Sequence, residues 1–457
     1  MPLFPFQMSA ERIAKLKHKV LEQDDHEQAW RLSQPLLKAA ARMVEPARAL
    51  ADLTRRGAFE AKDGLVAARA LADAHPTDPE VLSNLGRAFE RLHDMRYLNA
   101  APPDDPALTK IANALNGLIQ SRVAANRDEE LALQHGLGTA ARVLGRSWDQ
   151  IAERSARRLI ELRGTWEDLY GLGLFYKTRG RFEEGRDANQ RAFDTGGAED
   201  ESVQWNLGIC ATGAGDAETA LKRWKSMGNK LELGRFGLPE GGYHDVKVRL
   251  AQRPLAERNP TPGFDEPGLE ETVWVERLSP CHGVVRSALY QELGVDYGDV
   301  VLFDGAPITF HEYDGERVAV FPHLATLKRP GYRIWRFGGT QRHAQQIGNL
   351  SKQLLDDAVL YVHTEQFQVL CHTCWEAGQT KHDGHQDAEH HVVTGKLCAP
   401  PDAMPRTLLD QLDRLVAAEA GAVQLLVPDL ARDVGDEARA EVEMRRLAMI
   451  EGARACP

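Results

Sequence analysis

The sequence predicts a multidomain chain in which an N-terminal solenoid of α-helical hairpins is followed by an α+β region rich in strands. Three observations indicate this division. A 35-residue repeat runs through the N-terminal half, a proline-rich stretch interrupts the chain near residue 260, and short β-branched and aromatic runs follow that stretch. The predicted segments are a helical cap at 1–54, helical repeats at 55–250, a linker at 251–267, a β-rich Cys/His domain at 268–400 and a C-terminal α/β cap at 401–457.

The first segment, 1–54, is predicted to be helical. Apolar residues recur at helical spacing through Ile13, Leu16 and Val20, and again from Trp30 to Leu37. A terminal unit of a solenoid needs a polar outer face, so we expect this segment to cap the stack.

The repeats are marked by two glycines. A Leu-Gly pair recurs every 35 residues, and another glycine follows seven residues after each pair. A small residue at the first position lets the helices of a hairpin approach closely, and the second glycine can adopt positive φ in a tight turn. An earlier copy lies at Leu85-Gly86, so residues 95–135 are predicted to be an irregular insertion or a degenerate unit.

These units resemble the tetratricopeptide repeat family, most clearly over residues 165–228. The matching residues are Leu172, Gly173, Tyr176, Gly180 and Ala192 in one unit and Leu207, Gly208, Gly215 and Ala220 in the next. Gly185 stands where the family usually has alanine, and no proline closes the 165–195 unit. The resemblance implies stacked helix pairs with a concave groove that holds a peptide or a partner protein. The alternative is an unrelated bundle of helical hairpins.

The C-terminal half is predicted from turn signals and strand runs. Residues 253–267 contain four prolines, a composition typical of a linker. Strand-type runs follow at 272–275, 300–303, 318–321, 332–337, 359–363, 368–371 and 391–393. One helix is expected from Gln341 to about Leu355, and helices near 404–418 and 436–450 flank a strand at 423–427.

Composition narrows the class of protein. Lys+Arg 56 against Asp+Glu 67 leaves a net charge of −11, which argues against wholesale coating of nucleic acid. No apolar run approaches the roughly 18 residues of a membrane helix, and the first residues do not read as an export signal. Six cysteines do not make a disulfide framework in so long a chain. We therefore expect a cytoplasmic protein that does not enter the membrane, and the 41 arginines against 15 lysines suggest a GC-rich bacterial genome.

A cluster of cysteine and histidine predicts a zinc site. Ten of the sixteen histidines lie within 282–391, and a Cys-x2-Cys knuckle can present two sulfurs to one ion. The candidate ligands are Cys371, Cys374, His382, His385, His390 and Cys398. The spacing is not that of a Cys2His2 finger. Three alternatives remain open: a closed structural zinc site, a catalytic or redox site, and a polar loop that binds nothing.

A basic and aromatic stretch follows Val318, and no acidic residue occurs from there to Leu355. Arginines interleaved with aromatic rings can hold phosphates and stack on bases. The candidate residues are Lys328, Arg329, Arg333, Trp335, Arg336 and Arg342. Alternate residues of a strand face opposite ways, so Arg333 and Arg336 are expected on different faces. Nucleic-acid binding is therefore possible but less favoured than a half-buried strand with solvated arginines.

The function predicted from these features is a protein-interaction adaptor, with a peptide or protein partner in the groove and a zinc-stabilised β-rich recognition domain. The alternative is a metal-dependent hydrolase or nuclease, with the 371–398 loop as active site and the basic strand binding phosphate. Cys281-His282 could in principle supply a nucleophile, but a packed strand-to-turn junction is favoured there. The sequence contains no phosphate-cradling loop motif.

Overall fold

The computed structural model describes residues 8–93, 105–121, 124–354, 357–371 and 387–452. Helices pair in chain order as hairpins through the N-terminal part of these ranges. They are α1 (Ala10–Leu21), α2 (His26–Ala40), α3 (Val44–Arg56), α4 (Ala61–Ala74), α5 (Pro79–Leu92), α6 (Pro106–Gln120), α7 (Arg127–Val143), α8 (Asp149–Leu162), α9 (Trp166–Lys177), α10 (Phe182–Ala192), α11 (Glu201–Gly213) and α12 (Ala217–Ser226). Side-chain caps begin many of them: Asp78 accepts from the Val81 amide at 2.9 Å and Asn126 from the Glu129 amide at 2.9 Å.

Both glycine series have the predicted roles. Gly145, Gly180 and Gly215 follow the first helix of their hairpins with φ of 88°, 70° and 74°. In the other series, a Cβ at Gly208 would lie 2.5 Å from the ring of Trp224 in the paired helix, and one at Gly173 would lie 2.4 Å from Asn189. At Gly173 and Gly208 the paired helices therefore pack at a distance that only glycine allows.

The C-terminal strands first form a closed barrel. It contains β3 (Val246–Ala251), β4 (Glu270–Arg277), β5 (His282–Val285), β6 (Val300–Phe303) and β8 (Glu316–Lys328). These strands pair antiparallel in that order, and parallel pairing of β3 with β8 closes the ring. An edge strand, β7 (Thr309–Tyr313), pairs with the start of β8, and a small ladder of β1 (Glu232–Leu233) and β2 (Pro239–Glu240) precedes the barrel. Val248, Val275 and Phe303 are among the buried residues of its interior.

A second, antiparallel sheet follows in the order β10-β11-β9-β12. Its strands are β9 (Arg333–Gln341), β10 (Val359–Cys371), β11 (Asp387–Ala399) and β12 (Val423–Leu426), and its helices are α13 (Gln346–Leu350), α14 (Pro405–Ala418), α15 (Pro428–Asp433) and α16 (Glu437–Gly452). Trp335 and Phe337 of β9 pack with Leu408 of α14 and Leu430 of α15. The predicted boundary at 400 is therefore wrong, since β12 belongs to the same sheet as β9.

The boundaries around 250 also need correction. The repeats end at Ser226, and β3, placed within them by the sequence, is a barrel strand. The predicted linker is docked rather than free: Leu255 is buried, and its carbonyl accepts a hydrogen bond from Arg146. One core joins the last repeat to the barrel, because Ile209 and Trp224 pack with Leu302.

In the described part of the chain, no helix combines the length and apolar character needed to cross a membrane.

Candidate functional site

The concave side of the helical stack forms a groove with two adjoining pockets. The first, which we call the repeat pocket, has a volume of about 270 Å³ and lies between α7, α8 and α9. The second, the terminal pocket, has a volume of about 510 Å³ and lies between α9, α11 and the turn at 304–306 of the barrel. Glu90 of α5 lines both, so the groove is continuous.

The groove is built from the same helical positions in successive repeats. His135, Tyr170 and Trp205 are 35 residues apart, as are Thr139, Leu174 and Ile209, and all six line one of the two pockets. Arg142 and Lys177 are also 35 residues apart, and each lines one of the two pockets. Within α7 these positions are i, i+4 and i+7, which lie on one face of a helix. We call these eight residues the groove face. Their 35-residue spacing is visible in the sequence, but none of them belongs to a motif with a recognisable chemistry.

Two ion pairs hold four of the charged residues of the repeat pocket. Arg142 contacts Glu90 at 2.6 Å, and Arg163 contacts Asp168 at 2.6 Å. Burial, together with Arg87 and Arg163, lowers the pKa of His135 to about 4. The His135 imidazole is therefore neutral at pH 7. The lining of this pocket carries three carboxylates, Glu90, Glu167 and Asp168, against two guanidinium groups.

The barrel completes the terminal pocket. Lys177 of α9 contacts Asp304, which follows β6, at 2.7 Å, and their side chains are only 4% and 12% exposed. Trp205 donates its indole N–H to Glu201 at 3.2 Å, and a Cβ on Gly305 would lie 2.8 Å from the Trp205 ring. Burial raises the pKa of Tyr170, whose hydroxyl accepts a hydrogen bond from Asn206 at 3.1 Å.

The predicted zinc ligands fall into three groups. Cys374, His382 and His385 lie outside the described residues. Cys371 and His390 lie in the β10–β11 hairpin, opposite Asp387 and Gln368 respectively. Cys398 lies at the other end of that hairpin, opposite Val359.

Cys398 must therefore be removed from the predicted set. Twelve residue steps of about 3.3 Å separate its ladder position from that of Cys371, a distance of roughly 40 Å. Its side chain is buried with Tyr297 and Ala288, and burial raises the pKa of its thiol. Within the described ranges, no group of three or more His, Cys, Asp or Glu side chains is placed to hold a metal ion.

The basic stretch does not form one binding surface. Trp335 is 5% exposed and donates to Asp433 at 2.8 Å, so its ring cannot stack on a base, and its predicted role is wrong. Arg333 and Arg336 are exposed, and Arg336 contacts Glu451 at 3.6 Å. The neighbouring positions Ile334 and Trp335 belong to different cores, which confirms that the strand presents two faces.

The remaining basic residues are separate from one another. Lys328 ends β8, and Arg329 contacts Glu257 of the docked segment at 3.8 Å. Arg342 follows β9 and is exposed, with its amide donating to Ala422 at 2.9 Å. The six predicted residues thus lie in three separate places: the end of β8, the strand β9 and the segment after β9.

Cys281 and His282 form a packed junction. Both are fully buried, and Ser279 Oγ lies 2.5 Å from His282 Nδ1. Burial raises the pKa of Cys281 to about 12 and lowers that of His282 to about 4, so a thiolate is disfavoured at neutral pH.

No protein-family model matches the chain, and no curated protein matches it. Solved structures similar to it include TTC0263, a thermophilic TPR protein from Thermus thermophilus, with 16% identity over 44% of this chain and 98% of that chain, at a TM-score of 0.31. A tetratricopeptide repeat protein from Parabacteroides merdae has 12% identity over 48% of this chain and 78% of its own chain, at a TM-score of 0.33. MamA has 18% identity over 40% of this chain and 90% of the MamA chain, at a TM-score of 0.29.

These neighbours cover the helical half of the chain. In the same half, the described helices α1 to α12 form the stacked hairpins that the Leu-Gly repeat predicts. The fold is a helical hairpin solenoid followed by a β-rich region.

Proposed function

We propose that this chain is a protein-interaction scaffold whose groove holds an extended peptide segment of a partner protein. The observation that carries the proposal is the groove face, because one set of positions, repeated from α7 to α11, lines a continuous concave surface. The mix of apolar and polar side chains suits a peptide, whose main chain needs hydrogen bonds while its side chains bury apolar area. We further propose that it acts in the bacterial cytoplasm.

Gly171 offers a direct test of this function. It lines the repeat pocket, and a Cβ there would meet nothing within 4 Å, so Gly171→Leu should fill the pocket without disturbing the helix. Gly117 of α6 is equally open but lies outside both pockets, so Gly117→Leu is a matched control.

The experiment is panning of a random twelve-residue phage-displayed library on the full chain, followed by fluorescence polarisation with the enriched peptides. We expect Gly171→Leu to weaken binding by about tenfold or more, corresponding to about 1.4 kcal/mol, and Gly117→Leu to leave it unchanged. Equal affinities for the two variants, or no enriched peptide at all, would reject the groove as the binding site.

For the C-terminal region, we propose that Cys371 and Cys374, with His382 and His385 or His390, hold one structural zinc ion. Support comes from the ligand types and from the pairing of Cys371 with Asp387, which brings together the two ends of the connecting segment 372–386. In this proposal the ion stabilises the second recognition surface of the adaptor.

Metal analysis of the purified chain tests the zinc proposal. We expect about one zinc per chain, lost in Cys374→Ser and retained in Cys398→Ala, whose thiol lies at the far end of the hairpin. A folded wild-type chain that contains no zinc would contradict the proposal.

A further inference from the structure

The groove face changes in character along the stack. In α7 it carries His135, Thr139 and Arg142, which are all polar. In α9 and α11 it carries Tyr170, Leu174, Trp205 and Ile209, with Lys177 held by Asp304. The terminal pocket therefore has aromatic and aliphatic side chains at the groove-face positions where the repeat pocket has polar ones.

The terminal pocket also contains an unused hydrogen-bond acceptor. Asn206 is 5% exposed and lines the pocket, and its Oδ1 has no partner among the described residues. Its Nδ2 donates to the Ser202 carbonyl at 3.0 Å, which can only accept, so the amide orientation is determined. A buried carbonyl oxygen without a partner is costly. Because this oxygen is enclosed in the free chain, a ligand N–H relieves that cost only when the Asn206 side chain turns towards the pocket.

Charge in this pocket is unbalanced. Its lining contains three carboxylates, Glu90, Glu201 and Asp304, against one ammonium, Lys177. Lys177 is neutralised by Asp304, and Glu90 is shared with Arg142 of the repeat pocket. Glu201 is exposed, and the contact described for its carboxylate is the neutral indole N–H of Trp205.

We infer that the terminal pocket is an anchor site for a lysine or arginine side chain of the partner segment. The aliphatic stem of that side chain packs against Leu174 and Trp205, its cationic head lies near Glu201, and a partner main-chain N–H donates to Asn206 Oδ1. This inference rests on the proposed function. It adds the chemistry of the partner, a basic extended segment, which also matches the net charge of −11.

The repeat pocket, at the other end of the groove, differs from the terminal pocket in its charged residues. Arg87, Arg142 and Arg163 surround His135 there, with Glu90 and Asp168 paired to two of them, and Arg87 has no ion-pair partner among the described residues. The aromatic and aliphatic side chains of the terminal pocket, at positions where the repeat pocket has His135, Thr139 and Arg142, therefore place the stem of the basic side chain at α11. An acidic segment bound in the repeat pocket is the contrary outcome of the test.

The test uses the peptides enriched by panning on the full chain, labelled with fluorescein, each compared with a copy in which every Lys and Arg is replaced by norleucine. We expect enrichment of Lys or Arg in the panned set and at least tenfold weaker binding of the norleucine copies. Glu201→Gln should weaken binding of the basic peptides at least fivefold, and Glu183→Gln, the same change at an exposed position on α10, should not.

A second arm of the binding experiment uses the variant Asn206→Ala. Asn189→Ala is its control, because Asn189 is also buried with an unpartnered Oδ1 but lies on α10 outside both pockets. We expect at least tenfold weaker peptide binding for Asn206→Ala only. If either asparagine variant fails to fold by circular dichroism, the glutamate pair decides the question.

The outcomes separate the two proposals. The anchor site is overturned if the peptides bind and Gly171→Leu blocks them, but the panned set shows no preference for Lys or Arg or a preference for acidic residues. That result leaves the groove function intact. Peptides whose binding ignores Gly171→Leu overturn both.

Discussion

Three histidines, two of them buried and one partly buried, lie in surroundings that oppose their protonation. His282 and His323 are at most 1% exposed, and burial lowers the pKa of each to about 4. The pKa of His135 is also lowered to about 4, because the positive charges of neighbouring arginines reinforce the effect of partial burial. In each case folding keeps the ring neutral at pH values where the unfolded chain, with a pKa near 6.5, binds a proton.

This predicts acid sensitivity with a defined sign. Because the folded pKa values are depressed, their contribution to stability is complete above about pH 6.5 and is lost as the pH falls towards 4. The free energy of unfolding should fall by about 1.4 kcal/mol per pH unit for each such group in that interval. His282→Phe removes one group, so its urea midpoint between pH 6.5 and 4.5 should fall less steeply than that of the wild type.

The matched control is His244→Gln, at an exposed position. An equally steep pH dependence in His282→Phe and the wild type would contradict a neutral His282 in the folded chain. The burial of these histidines was not predictable from sequence, because the metal-site prediction covered only the histidines near Cys371 and Cys374 and gave no account of His282 or His323.

At the scale of elements, the hairpins depend on glycine at the contact between paired helices. In α11, Gly208 faces the Trp224 ring of α12 so closely that a methyl group would overlap it. Trp224 is fully buried and packs with Leu302 of the barrel, so it has little freedom to move away.

Gly208→Ala is therefore expected to destabilise the chain by about 2 kcal/mol through overpacking, although alanine favours helix more than glycine does. Gly117→Ala, in open space on α6, isolates the propensity effect and should be stabilising or neutral. Urea unfolding of both variants measures the difference. A Gly208→Ala midpoint equal to that of Gly117→Ala would show that the hairpin contact is looser than the structure indicates.

Strands were predicted less completely than helices. The helix at Pro405–Ala418 lies within one residue of its prediction, and the predicted runs at 359–363 and 368–371 are parts of one strand, β10. The sequence did not predict β1, β2, β3, β5 or β7. β5 is a four-residue strand buried throughout, so it lacks the alternation that marks a half-exposed strand.

At the scale of the whole molecule, the barrel closes the end of the helical stack. A shared core and the Lys177–Asp304 ion pair join them, and both side chains of that pair are largely buried. A buried charge that loses its partner costs far more than a buried pair replaced by apolar groups.

Lys177→Met is accordingly expected to lower the free energy of unfolding by about 3 kcal/mol, because Asp304 is left buried without its cation. The double variant Lys177→Met with Asp304→Asn should recover most of this loss. Urea denaturation measures both, and hydrogen exchange should show increased opening of α9 and the turn at 304–306 in the single variant. A single variant as stable as the wild type would mean that the pair does not hold the barrel to the repeats.

The sequence by itself determined the repeat unit, the positions of its glycines, and the order of helical and strand-rich regions. These depend on residues within a helical turn, a strand or one 35-residue unit, whose periodicity is visible locally. Only the tertiary structure decided that Asp304 neutralises Lys177, that Trp335 is buried against Asp433, 98 residues away in sequence, and that Cys398 lies at the opposite end of a hairpin from Cys371. Such relations arise from packing between distant segments, and no local pattern of residues encodes them.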